Sequence, residues 1–267
     1  MSYLRQLKGQ INAGFKTALA YRFDFFVTLF TAPISLIIYY FLWKSIFEYS
    51  GAEIINGFTF TAMVSYYVLN MIVGFFTWSD VEKWMQFDIL RGELVFELLK
   101  PVRHMTSAIC FEGGMNLLSI IIQAIPILAV GILFFAMPAA SIINFLLFIV
   151  ALIVAYLIYF MISYIIGVAA FWLKRIDGLH RAKKPIITFL AGGLIPLTFF
   201  PEGLQAALKY LPFQYVRFIP INIYLGNFGV LESLEFIGIG SIWVLGLYIL
   251  IRFMWKRAMN KFTGAGV

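Results

Sequence analysis

A run of 61 consecutive residues, from Gly113 to Leu173, contains no Asp, Glu, Lys, Arg or His. About 20 predominantly apolar residues suffice for a helix to cross the roughly 30 Å hydrocarbon core of a bilayer. As one helix this run would extend about 90 Å, three times that thickness, so it must fold back on itself. The turn is expected at Met137 to Ser141, where Pro138 interrupts the helix. The run therefore predicts two membrane-spanning helices in succession.

The composition of the whole chain fits this prediction. Apolar and aromatic residues make up 62% of the 267 residues and charged residues only 12%, whereas about 25% of a soluble domain is charged. One Cys and two His residues exclude an internal disulfide and a His-rich metal centre. We therefore expect no metal site and no cofactor on this chain. The first 22 residues lack the apolar core of a removable signal peptide.

The apolar runs predict an all-α integral membrane protein, a single transmembrane domain over 1–267. Its six expected spans are 24–46, 57–78, 111–137, 142–173, 185–200 and 236–255. The fifth is short because Pro201 ends it after 16 residues.

Orientation follows from the basic residues, because short loops rich in Lys and Arg stay in the cytoplasm. Of the 20 basic residues, 17 fall before the first span, between the second and third, between the fourth and fifth, or after the sixth. We expect both termini on the cytoplasmic side of the cell membrane. The formal net charge of +7 then reflects topology, and no nucleic-acid partner is expected.

Two further segments are apolar without being spans. In 1–23, Leu4, Leu7, Ile11 and Phe15 recur at helical spacing between cations, which predicts an amphipathic helix at the lipid interface. The alternative is an extension of the first span. The connection 201–235 is interrupted by three prolines yet is too apolar for a free loop, which favours re-entrant outer helices. The alternative there is a loop lying on the headgroups.

The segment 79–104 combines charges of both signs with an apolar stripe, and Gly92 divides it into two predicted short helices. It could be a plain connector, but mixed charges beside exposed aromatics are also typical of a surface that docks a partner. A basic cytoplasmic loop, 174–184, follows the fourth span.

The sequence has no GxxxxGK[ST] motif to hold ATP phosphates and no HExxH or GxSxG motif for hydrolysis. We therefore expect a transport subunit rather than an enzyme. The interiors of the expected spans also lack the ionisable residues that ion-coupled carriers keep inside the membrane, and Asp24 and Glu112, near the ends of their spans, are interpreted as interfacial carboxylates. Among their milder polar residues, the best candidates for a substrate pathway are Asn70, Gln123 and Asn144.

Two runs of residues resemble a known family. Ile89-Leu90-Arg91-Gly92-Glu93-Leu94, followed by Leu98-Leu99-Lys100-Pro101, resembles the "I-x-x-G-x-L … L-L-x-P" signature of the ABC-2 type membrane permeases. The run from Gly193 to Pro201, with the later Leu211-Pro212-Phe213, Pro220 and Tyr224-Leu225-Gly226, is similar to the fifth span and outer segment of their small six-span subfamily.

The resemblance implies a permease that forms a homodimer or heterodimer in membrane lipid. It also implies a separate P-loop ATP-binding subunit that holds ATP and Mg. Segment 79–104 would be the coupling segment, and the loop 174–184 a second contact with the ATPase. The residues assigned to these contacts are Trp84, Asp88, Arg91, Gly92, Glu93, Arg175 and Lys183.

The sequence thus favours the permease subunit of an ATP-binding-cassette exporter that moves an amphiphilic or bulky substrate outward. An ATP-independent secondary carrier or lipid scramblase is the alternative. A membrane scaffold without transport activity is a third hypothesis.

Overall fold

The computed structural model describes residues 3–20 and 22–262, without the side chains of 22–26 and 28–30. The predicted interfacial helix of 1–23 is therefore described only in part, and the C-terminal residues 263–267 lie outside the described chain.

The described residues form twelve α-helices and one two-stranded hairpin. The first half contains α1 (Tyr3–Ala20), α2 (Arg22–Ser50), β1 (Ile54–Ile55), β2 (Phe58–Thr59), α3 (Phe60–Phe76), α4 (Val81–Arg91), α5 (Leu94–Leu98), α6 (His104–Ser119) and α7 (Ile125–Phe135). The second half contains α8 (Ile142–Leu173), α9 (Asp177–Leu190), α10 (Glu202–Lys209), α11 (Phe218–Leu225) and α12 (Val230–Met259).

The all-α membrane class is confirmed, because 81% of the chain is helical and four stretches of the described residues are long and apolar enough to cross a membrane. Those stretches are Phe60–Arg91, His104–Phe135, Ile142–Leu173 and Val230–Met259. In addition, α2 has 29 residues, which is a length of about 44 Å. The number of spans and their orientation stay predictions.

The strands β1 and β2 form a tight hairpin between α2 and α3. Ile54 pairs with Thr59, and the turn residues Asn56 and Gly57 both have positive φ, as a two-residue hairpin turn requires. Thr59 then begins α3 by accepting a hydrogen bond from the Ala62 N–H. We call this end of the bundle the hairpin end, and the end carrying α4 and α5 the coupling end.

The helix pair α6–α7 is continuous through a π-helical turn at Ile120–Ala124. Pro126 follows in the first turn of α7, where its missing N–H removes one helical hydrogen bond. The π turn accommodates that loss and turns Gln123 into the protein interior, where it is buried.

The N-terminal helix α1 packs along α6 through two glycines. A Cβ atom on Gly14 would lie 1.8 Å from the Phe111 carbonyl oxygen, and one on Gly114 would lie 2.1 Å from the Ile11 carbonyl oxygen. Since only Gly14 and Ala18 of α1 are buried, most of the amphipathic surface of this helix stays exposed.

The expected fifth span, 185–200, is not one continuous helix. The helix α9 ends at Leu190, and residues 191–200 contain only a 3₁₀ turn at Leu197–Phe199. The break begins at Gly192, whose φ of +78° is readily adopted only by glycine.

Side chains of α3 bind the carbonyl groups of this break. Tyr66 Oη donates to Gly192 O at 2.7 Å and Tyr67 Oη to Leu194 O at 2.8 Å, and Asn70 Nδ2 donates to Gly193 O at 2.7 Å. Irregular backbone inside a membrane protein needs such partners. The sequence interpretation missed them because they lie more than 120 residues away along the chain.

The predicted outer segment, 201–235, contains α10, a second 3₁₀ turn at Pro212–Val216, α11 and the start of α12. All residues from Ile219 to Tyr224 are buried, and α11 packs on α3 and α8. That burial disagrees with the alternative of a loop lying on headgroups. Re-entry into the bilayer stays a prediction.

Candidate functional site

The junction loop, residues 77–80, joins α3 to α4 at the coupling end and is held by α6. Glu112 accepts hydrogen bonds from Ser79 Oγ and from the Asp80 N–H, the latter at 3.0 Å. Asn116 Nδ2 donates to Trp78 O at 2.9 Å. The position at which α4 begins is therefore fixed by two buried polar residues of a neighbouring helix.

A buried ion pair ties the first turn of α4 to α9. Lys183 Nζ contacts Glu82 Oε1, and their side chains are 2% and 0% exposed. The same ammonium group donates to Ser79 O at 2.6 Å and to Ser163 Oγ at 3.0 Å, while His180 Nδ1 lies 2.7 Å from Glu82 Oε1. A buried pair with these additional hydrogen bonds is strongly destabilised when one partner is removed.

This cluster also contains three groups that could ligate a metal. One atom each from Asp80, Glu82 and His180 lie within 4.8 Å of one another. However, the Lys183 ammonium already contacts Glu82 and lies 4.0 Å from Asp80 Oδ1. The chain itself thus supplies one counter-charge, which pairs with Glu82, and we describe the cluster as an ion-pair junction.

Helix α4 is also clamped along its buried face. Gly167 of α8 permits the close approach, because a Cβ atom there would lie 3.0 Å from Glu82 Cα and 3.1 Å from Met85 Sδ. Gln86 Oε1 accepts a hydrogen bond of 2.6 Å from the Ile176 N–H, just before α9. A displacement of α4 would therefore act directly on α8 and α9.

The opposite face of α4 and α5 forms an exposed apolar surface, which we call the docking surface. It consists of Trp84, Phe87, Phe96 and Leu99, which are 48%, 39%, 69% and 75% exposed. Charged residues of both signs surround it, and the Arg91 guanidinium lies 5.6 Å from the centre of the Phe87 ring. Of the residues predicted from the sequence, Trp84, Arg91 and Glu93 are exposed on this element, and Asp88 is half-buried.

Gly92 ends α4 with φ 72° and ψ 7°, and its N–H donates to Ile89 O at 3.3 Å. This left-handed cap turns the chain into α5. The structure thus contains the predicted two short helices, α4 and α5, on either side of Gly92.

The two residues predicted in the basic loop differ in environment. The Arg175 side chain is 83% exposed and lies 3.6 Å from Asp177. The Lys183 side chain is buried, so it supports α4 from inside instead of offering its charge to a partner. The sequence interpretation assigned Lys183 to the contact because it lies in a basic cytoplasmic loop with Arg181 and Lys184, which the structure leaves exposed.

A cavity of about 750 Å³ lies above α4, between α2, α3 and α6. Two of the three predicted pathway residues, Asn70 and Gln123, line it. Asn144 does not; it lies in the first turn of α8 at the hairpin end, where its N–H donates to Ser141 Oγ.

The cavity also contains an arginine that the sequence interpretation had placed on the outer side. Arg217 Nη1 donates to the Asn70 carbonyl at 2.9 Å and to Asn70 Oδ1 at 2.6 Å. One signal could have identified it, since a cation in the middle of an apolar segment predicted to be re-entrant should point into the protein.

These features define an integral membrane protein whose helices surround a cavity lined by polar and apolar side chains and clamp a short helical element at one end. A protein-family model described as "ABC-2 family transporter protein" matches residues 34–266. The chain therefore belongs to the ABC-2 transporter family, and the resemblance seen in its motifs is confirmed. It is a multi-pass membrane protein and a permease component of an ABC-type transporter. A comparison with curated proteins finds no match.

Proposed function

We propose that this chain is the transmembrane subunit of an ATP-driven exporter, and that a separate P-loop ATPase binds its docking surface. The observation that carries the proposal is the two-sided environment of α4. One face is anchored by the buried Glu82–Lys183 pair, and the other exposes Trp84 and Phe87. A partner that moves the exposed face transmits its displacement to α8 and α9.

ATP and Mg would be held by the partner, because this sequence lacks a P-loop motif. Binding energy then reaches the membrane through contacts that differ between two conformations of the bundle. Aromatic side chains among charges are the usual composition of an interface that needs both affinity and register.

A second permease, identical or similar, would cover part of the apolar surface of α12. Only 17% of the spanning window of α12 is buried, and Ile242, Leu245 and Ile249 are each more than half exposed. Membrane lipid would cover the remainder. An amphiphilic or bulky substrate would then move outward beside this interface.

The alternative function, an ATP-independent carrier or lipid scramblase, is favoured by one observation. Arg217 places a charge inside the bundle, and intramembrane charges are frequent in secondary carriers. Transport by the reconstituted chain alone, driven by an ion gradient or by lipid asymmetry, would favour it.

The ATPase interface is tested by co-purification from the native membrane. We expect the affinity-tagged chain to retain a P-loop ATPase, and the variants Trp84→Asp and Phe96→Asp to lose most of it. Tyr49→Asp is the matched control, since Tyr49 is 97% exposed at the hairpin end. Failure of the unmodified chain to retain any ATPase, or full retention by both docking-surface variants, would contradict the proposal.

A further inference from the structure

The guanidinium of Arg217 lies near the middle of α3. Its partner Asn70 is ten residues from Phe60 and six residues from Phe76, the two ends of that helix. At a rise of about 1.5 Å per residue, Asn70 is roughly 15 Å from one end and 9 Å from the other. Arg217 therefore carries its charge beside α3, away from both ends of a helix that belongs to a stretch long and apolar enough to cross a membrane.

Within the described chain, no carboxylate lies within ion-pair distance of Arg217. Its hydrogen bonds run from Nη1 to the neutral Asn70, while Nε is buried and has no partner among the described residues. The residue is half-buried, so its charge is partly removed from water. A charge removed from water without a counter-charge is costly, and the usual compensation is an opposite charge with matching hydrogen bonds. The missing counter-charge indicates a ligand.

The cavity in front of Arg217 is positively charged. Lys83 and Lys184 line it near the coupling end, where both are exposed, and no Asp or Glu is among the described residues that line it. Hydroxyl and amide groups of Tyr39, Ser119 and Gln123 add hydrogen-bonding capacity along the wall. An anion would thus meet cations near the coupling end and again at depth.

Apolar side chains form much of the remaining wall. Ala32, Met71, Phe75 and Met115 line the same cavity, and its volume of about 750 Å³ lies within the range of sites for small organic ligands. A ligand that matches both the cationic and the apolar regions of the wall has one anionic group and an apolar body.

We propose that this cavity binds an anionic amphiphile, whose carboxylate or phosphate group pairs with the Arg217 guanidinium. A planar guanidinium can donate two parallel hydrogen bonds to either group. The proposal concerns binding alone and does not depend on ATP-driven export. The same chemistry has two sources, a single-chain amphiphile such as a fatty acid or an anionic phospholipid of the bilayer.

Binding is tested on the purified full chain in an uncharged detergent, with oleate as the anionic probe and oleyl alcohol as its uncharged match. We expect oleate to bind more tightly than oleyl alcohol. Arg217→Gln should weaken oleate binding on the order of tenfold or more, as expected for the loss of a charge-assisted hydrogen bond, and leave oleyl alcohol unaffected. Arg217→Lys should restore part of the affinity.

A second pair of variants covers the case in which Arg217→Gln does not give a monodisperse protein. The exposed double variant Lys83→Gln/Lys184→Gln should weaken oleate binding several-fold, and Lys44→Gln, at the hairpin end outside the cavity lining, should not. Equal binding of oleate and oleyl alcohol by the unmodified chain would overturn the proposal. So would undiminished oleate binding by Arg217→Gln or, where that variant does not fold, by the double variant.

Competition separates the two sources. Displacement of oleate by dioleoylphosphatidylglycerol, and not by dioleoylphosphatidylcholine, assigns the site to an anionic phospholipid. Binding of oleate that neither lipid displaces assigns it to a single-chain amphiphile.

Discussion

Lys183 shows how far the role of one residue can depart from that of its neighbours. It lies in a run of basic residues, yet its side chain turns inward to Glu82, Ser79 and Ser163. The periodicity of α9 explains the difference, because Lys183 and Ile187 are four residues apart on the buried face while Lys184 lies on the exposed face. A pattern of charge alone could not identify which lysine is buried, since its acidic partner lies 101 residues away.

At this scale we predict that Lys183→Met destabilises the protein, because it leaves the fully buried Glu82 carboxylate without its counter-charge. The expected loss is about 3–5 kcal/mol of unfolding free energy. Chemical unfolding in mixed micelles measures it, with Lys184→Met as the matched control. The double variant Glu82→Gln/Lys183→Met should recover part of the loss. If Lys183→Met were as stable as the control Lys184→Met, the Glu82–Lys183 pair would not be needed for stability.

At the scale of elements, glycines determine how closely helices approach. The adjacent residues Gly113 and Gly114 of α6 make this visible, since a Cβ atom on Gly113 meets nothing within 4 Å and one on Gly114 meets the backbone of Ile11. Small residues at such positions let two helical backbones pack closely inside membranes.

We therefore predict that Gly114→Ala separates α1 from α6, whereas Gly113→Ala has no measurable effect. The added methyl group would lie 2.1 Å from a carbonyl oxygen, so one of the helices must move. Limited trypsin digestion at Arg5, Lys8 and Lys16 reports the separation as faster cleavage within α1. The same rate of cleavage in both variants would show that the glycine contact does not hold α1 in place.

Sequence patterns predict elements well where one physical signal dominates. A run without charge requires long apolar helices, and α8 occupies 142–173, the residues expected for the fourth span. A continuous helix is not formed over 185–200, because α9 ends at Leu190 and the carbonyl groups of the broken backbone that follows accept hydrogen bonds from Tyr66, Tyr67 and Asn70. Hydropathy measures the cost of exposing side chains to lipid and does not report such long-range hydrogen bonds.

At the level of the whole molecule, the features of the candidate site that are local in sequence could be predicted, and those that depend on long-range packing could not. The aromatic and charged composition of 79–104 could be read from the sequence, and the structure leaves Trp84, Phe87 and Phe96 exposed there; that a partner docks on them stays a prediction. The cavity could be predicted only in part: Asn70 and Gln123 lie in it, Asn144 does not, and Arg217 was expected outside. Whether a polar residue faces a cavity depends on the packing of helices that are distant in sequence.

We propose that energy from ATP reaches the membrane helices through α4. Cys110 is the only cysteine, so the background Cys110→Ser permits a single environment-sensitive fluorophore at Arg91→Cys on α4, with Tyr49→Cys at the hairpin end as the control. The labelled chain is reconstituted in liposomes with its co-purified ATPase, and fluorescence is recorded on addition of ATP and on imposing an ion gradient. We expect the fluorescence at position 91 to change with ATP, only when the ATPase is present, and not to change with the gradient alone. A change driven by the gradient without the ATPase, or no response to ATP in the intact complex, would contradict it.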